Sequence, residues 1–171
     1  HLFLTKEDTG NLGAYGAMKP PLGSKADQEA LWANLDVVDC IATDHAPHTQ
    51  AEKEGDSPPP GVPGLEVMLP LLLTAVAGGR LSLERLVELT HDSPRRIFGL
   101  PAQPDTWVEV DAEKSYTLDQ ADLHTKFGWS PFEGMRLKGK VKRVDLRGET
   151  VFEAGQVQVE PGYGRVVEPV G

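Results

Sequence analysis

Over its first hundred residues the chain alternates short apolar runs with stretches whose apolar residues recur every three or four positions. Beyond Pro101 it changes to period-two alternation. The first pattern predicts helices and buried strands. Ser24 is placed to cap a helix running to about Leu35, with Asp27 in the first turn where the helix dipole favours a negative charge. Val37-Val38-Asp39-Cys40-Ile41-Ala42-Thr43 reads as a buried strand, followed by a polar loop from Thr49 to Ser57. Leu65 to Ala77 reads as a helix ending at Gly78-Gly79, with Pro70 kinking it or marking an irregular start. Ser82 opens another helix, with Leu81 and Leu86 at the hydrophobic-staple positions, and Ser93-Pro94 opens a last short one that stops at Gly99. The second pattern predicts strands near residues 106–110, 140–146 and 150–159, with turns at Gly139, Arg147-Gly148 and Ala154-Gly155.

The expectation is an α/β portion over residues 1–103 and an all-β portion over 104–171. The β portion has few large apolar residues, so it is expected to share its core with strands from elsewhere in a larger chain. The opening residues, His1-Leu2-Phe3-Leu4, already lie inside an apolar run, which again suggests a piece of a longer protein.

Composition narrows the function classes. Of 171 residues 39% are apolar and 25% charged, with a net charge of −9, which suits a soluble globular protein. An acidic chain whose densest basic cluster is Lys138 to Arg143 is a poor partner for nucleic acid or an anionic membrane surface. The longest apolar stretch, Val67 to Ala77, is too short to span a bilayer. Cys40 is the single cysteine, so no intramolecular disulfide can form, and a reducing, cytoplasmic location is expected.

The segment Ile41-Ala42-Thr43-Asp44-His45-Ala46-Pro47-His48 carries the candidate chemistry. An apolar run ends abruptly in ionisable residues, as happens where barrel strands meet their following loops. An Asp at such a point can bind a metal, or take a proton from water and return it to a leaving group. His48, four residues on, can fold back over the same pocket and suits an anionic substrate. An Asp-His pair at a strand end also serves as a simple turn cap, and on spacing alone the two readings stand level.

Thr43-Asp44-His45-Ala46-Pro47-His48 resembles the signature on the last barrel strand of the dihydroorotases, within the amidohydrolase superfamily. Leu2-Phe3-Leu4-Thr5 resembles the end of the family's Pro-His-His-Leu segment, and Lys19-Pro20-Pro21-Leu22 its Asn-Pro-Pro-Leu-Arg turn. Pro60-Gly61-Val62-Pro63-Gly64-Leu65-Glu66 resembles its Pro-Gly-x-x-Gly-Leu-Glu loop, and residues 93–100 the helix that closes the barrel. Ser130-Pro131-Phe132-Glu133-Gly134 resembles a motif of the C-terminal β part. The likeness is greatest to the dihydroorotase domain of the animal multifunctional protein of pyrimidine synthesis. It includes the Pro58-Pro59-Pro60 run and Pro161-Gly162-Tyr163-Gly164, and it covers essentially the whole chain.

The resemblance implies the C-terminal part of a distorted (β/α)8 TIM barrel followed by part of a small β-sandwich. It implies a binuclear zinc enzyme that interconverts N-carbamoyl-L-aspartate and (S)-dihydroorotate in de novo pyrimidine biosynthesis. Asp44 would be zinc ligand and general acid/base. His48 and Lys19 would hold substrate, with the backbone at Pro60 and Gly61 completing the contacts. The family's other ligands, several His and a carboxylated Lys, match no residue here, so the 171 residues alone are expected to be inactive. Implied partners are a second copy of the chain, and carbamoyl-phosphate synthetase and aspartate carbamoyltransferase domains of the same polypeptide. Two departures bear on the site. Lys19 stands where bacterial relatives carry Asn and the animal domain Arg, supplying charge without a planar fork. Gly23 replaces the Arg of the bacterial pattern.

Outside the motifs, His45 is expected to be structural, His91 to favour a helix C-terminus, and His124 to be solvated. Cys40 is expected to be a small buried residue, and Trp32, Trp107 and Trp129 to be packing residues. Two rival functions remain: another cyclic amidohydrolase of allantoinase or hydantoinase type, and a non-catalytic dihydroorotase-like scaffold. Ala46-Pro47-His48 and residues 130–134 favour dihydroorotase over the first, and retention of Asp44 and His48 argues against the second.

Overall fold

A computed structural model describes residues 1–170. The chain divides into two compact units, the first made of His1–Val38, Ala42–Leu71 and Thr117–Leu137, the second of Asp39–Ile41, Leu72–Tyr116 and the residues from Lys138 onward.

In the first unit local capping starts each short helix. Helix α1 (Lys6–Leu12) follows Thr5, whose N–H and hydroxyl donate to the Asp8 carboxylate at 2.7 and 2.9 Å. Helix α2 (Lys25–Ala33) follows Ser24, which makes the same reciprocal pair with Asp27. Helix α3 (Gln50–Lys53) repeats the device with Thr49 and Glu52. The Ser24 cap was expected. The other two elements were not, although both carry the Thr-x-x-Asp/Glu signature, and α3 occupies what reads by composition as a polar loop. Leu4, Leu22, Trp32 and Leu35 are buried in this unit, the Trp32 ring meets Phe3 edge-on, and its indole donates to the Leu2 carbonyl at 2.7 Å.

Helix α4 (Leu65–Ala77) forms as its apolar run predicts and carries Pro70 inside it. Its C-terminal half belongs to the second unit, with α5 (Leu83–Val87), a wide π-type turn (Glu88–Asp92) and α6 (Ser93–Ile97). Leu72, Leu86 and Leu89 are almost wholly buried here, each burial stabilising by about 1.5–3 kcal/mol. The all-β part is a four-stranded sheet in the order β1 (Trp107–Thr117), β2 (Arg136–Leu146), β3 (Glu149–Glu153), β4 (Gln156–Val157). The turn at Arg147-Gly148 joins Leu146 to Glu149, and the turn at Ala154-Gly155 joins Glu153 to Gln156. All four turn residues have positive φ, the two-residue geometry that matches strand twist.

Two expectations are corrected. Gly139 does not form a turn: it lies within β2 at φ 97°, where a Cβ would sit 2.7 Å from the Leu73 Cβ. Glycine is required there for close approach of helix and strand. Residues 37–43 form no strand; a short 3-10 turn ends at Val37 and the backbone runs as coil to Thr49. A strand exists through its ladder, and this stretch belongs to none among the described residues; the Ile41 N–H donates instead to the Leu89 carbonyl at 3.0 Å. The described residues are thus an α/β assembly with one four-stranded sheet, and they close no barrel.

Candidate active site

Asp44 sits in the coil at φ 44°, a left-handed conformation that is uncommon for a residue with a side chain and that clusters at functional positions. Its carboxylate is exposed and has no hydrogen-bond or ion-pair partner among the described residues. The next residue has the opposite character. The His45 Nδ1 accepts the N–H groups of Gly64 and Leu65 at 3.0 and 3.2 Å, satisfying donors at the start of α4. With Nδ1 as acceptor the proton lies on Nε2, so His45 is a neutral helix cap.

His48 is held through its backbone and has a half-buried ring. Its carbonyl accepts the Trp129 indole N–H at 2.8 Å, and Trp129 is 2% exposed. Thr49, immediately after, starts α3 and so fixes the direction in which the chain leaves His48. The Glu52 carboxylate accepts from the Thr49 N–H and hydroxyl, and these bonds hold its pKa below the ordinary carboxylate range. It therefore stays charged, with one oxygen 4.0 Å from the His48 ring.

The other predicted site residues arrive on two loops laced to this segment. The Gly61 N–H donates to the Ala17 carbonyl at 2.8 Å, which ties the Pro60-Gly61 loop to the chain leading into Lys19. The Ala46 N–H donates to the Val62 carbonyl at 3.1 Å, which ties the same loop to the Asp44–His48 segment. Lys19 is exposed, without a partner among the described residues, and precedes a cis peptide bond to Pro20. The carbonyls of Pro60 and Gly61 accept no hydrogen bond among the described residues. Two glycines permit the close approach. At Gly61 (φ 129°) a Cβ would overlap the Ala46 carbonyl oxygen, and at Gly64 it would lie 3.1 Å from the Thr43 carbonyl oxygen. Three separated stretches, 17–19, 44–48 and 60–62, are thereby joined.

Lys53 and Trp129 are the residues that sequence reasoning missed or undervalued. Lys53 is 1% exposed, and its ammonium donates to the Ala14 carbonyl at 3.0 Å and the Pro59 carbonyl at 2.8 Å. It also lies 5.5 Å from the centre of the Trp129 ring. No carboxylate pairs with it among the described residues, and burial pushes its pKa below the ordinary lysine value. The capping box at Thr49 was the available signal that Lys53 belongs to a helix. His124 is exposed, as expected, and is also tied to Glu66: its N–H and ring nitrogen lie 2.7 and 3.2 Å from the carboxylate.

As a metal centre the site is partial. An exposed, unpaired carboxylate suits a divalent cation, but the described residues bring no three His, Cys, Asp or Glu together. What the arrangement offers is one carboxylate without a partner among the described residues, with Lys19 and His48 on stretches hydrogen-bonded through the 60–62 loop.

No family profile matches the sequence. The chain is 54% identical over its whole length to the multifunctional protein CAD of Squalus acanthias, of which it spans 8%. Over 98% of its length it is 41% identical to the dihydroorotase of Pyrococcus furiosus, of which it spans 41%. Among solved structures, the L-hydantoinase (dihydropyrimidinase) of Arthrobacter aurescens aligns with a TM-score of 0.89 at 32% identity, over 98% of this chain and 41% of that one. The inactive dihydroorotase-like domain of the Chaetomium thermophilum CAD-like multifunctional protein aligns with a TM-score of 0.72 at 32% identity, over 94% of this chain and 44% of that one. From end to end, therefore, these 171 residues resemble part of the dihydroorotases and of the CAD-type multifunctional proteins, on a fold shared with the hydantoinases.

Proposed function

We propose that the chain is part of a dihydroorotase, which cyclises N-carbamoyl-L-aspartate to (S)-dihydroorotate and reverses that step in pyrimidine biosynthesis. One observation supports this most. The full-length likeness to CAD and dihydroorotase sequences falls on a chain whose Asp44 is exposed, unpaired and held in a left-handed conformation beside His48. In this reading residues 1–103 belong to a (β/α)8 barrel and 104–171 to a β-sandwich. The parent protein is cytoplasmic and self-associating, and it carries carbamoyl-phosphate synthetase and aspartate carbamoyltransferase domains in the CAD manner.

The roles follow from chemistry. Zinc fits the Asp44 carboxylate as one ligand of a pair of ions whose other ligands lie elsewhere in the parent. When bound, the metal supplies Lewis-acid activation of water and of the amide carbonyl. An Asp44 oxygen takes the proton from the attacking water during ring opening and delivers it to the departing amide nitrogen; in cyclisation the proton moves the other way. His48 and Lys19 pair with the substrate carboxylate, and the free carbonyls of Pro60 and Gly61 accept its N–H groups.

A second reading has an observation of its own, the inactive dihydroorotase-like domain among the structural neighbours. The test is turnover by the purified full-length parent, with zinc supplied, of dihydroorotate, of a hydantoin and of allantoin. Preferred turnover of dihydroorotate is expected. Preference for a hydantoin or allantoin transfers the chain to those amidases, and no turnover by a folded, zinc-loaded parent makes it a scaffold.

A further inference from the structure

We infer that Lys53 is a positioning residue for substrate binding: one buried ammonium sets the relative placement of the loops bearing Lys19, His48 and Pro60-Gly61. This rests on the site reading proposed above. The geometry carries it. The Ala14 carbonyl lies in the 3-10 turn Gly13–Gly16, which leads into Ala17 and Lys19. The Pro59 carbonyl adjoins Pro60 and Gly61. The Trp129 ring under the ammonium donates its indole N–H to the His48 carbonyl. Two of the stretches that lead to candidate substrate groups therefore bond this Nζ directly, and the third, at His48, is linked to it through the Trp129 ring.

A lysine that served stability alone would leave its charge near water or near an acid, because a buried, uncompensated ammonium is costly. Here the buried side-chain nitrogens and oxygens all have partners, and the partners of this one are main-chain carbonyls of separate segments. Carbonyl partners fix backbone position, which is what a contact made through main chain at Pro60-Gly61 requires. Lys53 touches none of the presumed reacting atoms, so its removal should loosen the substrate groups and leave proton transfer at Asp44 intact.

The experiment uses the full-length parent. Lys53→Met keeps the length of the side chain and removes the donors and the charge. It should raise KM for N-carbamoyl-L-aspartate by roughly 10- to 100-fold while kcat and bound zinc change little. Lys53→Arg, which retains charge and donors, should recover part of the loss. In a His48→Ala background the same Lys53→Met change should add less than it does alone, because the part of its effect that passes through Trp129 to His48 is already lost. Hydrogen exchange read by mass spectrometry supplies a measurement independent of turnover: in Lys53→Met the amides of Ala46 and Gly61 should lose protection. If Lys53→Met does not fold, Trp129→Phe takes its place. It keeps a ring under the ammonium, removes the bond to His48, and should raise KM without lowering zinc content. Unchanged KM with unchanged protection at Ala46 and Gly61 overturns the inference, as does a fall in kcat alone. A parent without dihydroorotase activity overturns the functional reading only, and exchange protection then decides whether Lys53 holds the loops.

Discussion

Residues 38–64 hold one four-residue helix and no strand, whereas 107–157 is mostly strand. Each stretch must place its backbone polar groups, and each does so differently. In the sheet the ladder satisfies them, the turns are two residues long, and charge pairs decorate the faces. Lys142 meets Glu109 at 2.7 Å, and Arg143 meets Asp145 through two bonds of 2.7 and 2.8 Å. In the site region side chains take over the backbone's work. The His45 ring caps α4, Trp129 holds the His48 carbonyl, and Lys53 holds two more carbonyls. A ladder fixes many residues by repetition, while anchors of this kind fix a few by exception. The candidate chemistry lies where the exceptions are.

The comparison can be broken at its two close-approach glycines. Gly61→Ala should be the most damaging change short of one at Asp44. Backbone strain of about 1–3 kcal/mol at φ 129° adds to overlap with an unyielding carbonyl, itself about 1–3 kcal/mol. Turnover by the full-length variant should be nearly lost, and a variant as stable and active as wild type would show that the loops are not locked. Gly139→Ala in the sheet meets the Leu73 Cβ, which moves only with the α4 backbone, so about 2–4 kcal/mol of stability is expected to go, with kcat and KM of the surviving enzyme unchanged. Thermal unfolding with parallel kinetics separates the two cases.

Smaller changes sharpen the contrast. His45→Ala removes an acceptor from the start of α4 and should cost about 1 kcal/mol, visible as faster amide exchange at Gly64 and Leu65. The Asp145 carboxyl is held below the ordinary carboxylate range by its bonds to Arg143. Its folded pKa is thus lower than its unfolded one. The stability it contributes is present above the unfolded value and fades as pH falls toward the folded value. The stability gap between wild type and Asp145→Asn should therefore be widest near neutrality and narrow below about pH 4. A gap that widens on acidification would contradict the pairing.

The same contrast explains what was legible in the sequence. The hairpin turns at 147–148 and 154–155 were readable because their order is local: Gly at a φ-positive site between alternating runs. Helix α4 was readable from its apolar length, and the segment that carries the candidates Asp44 and His48 stood out as an ionisable cluster closing an apolar run. The strand expected at residues 37–43 was a fair reading of its β-branched residues, but composition cannot supply the neighbouring strand that a ladder needs. Lys53 was missed for the converse reason. Nothing about a lysine after Gln50-Ala51-Glu52 signals that Ala14, Pro59 and Trp129, up to 76 positions away in sequence, converge on it. Gly139 deceived because a glycine that permits close packing looks, in one dimension, like a glycine that turns.

The central claim is that Asp44 moves the proton, and the Asp44→Asn variant of the full-length, zinc-loaded parent tests it most directly. Asparagine keeps the size of the side chain and an oxygen for a metal, and removes the proton acceptor. Steady-state kinetics in both directions should show kcat lower by roughly 10²–10⁴-fold and KM nearly unchanged. A turn cap would tolerate the amide. Activity within a few fold of wild type in both directions would contradict the account.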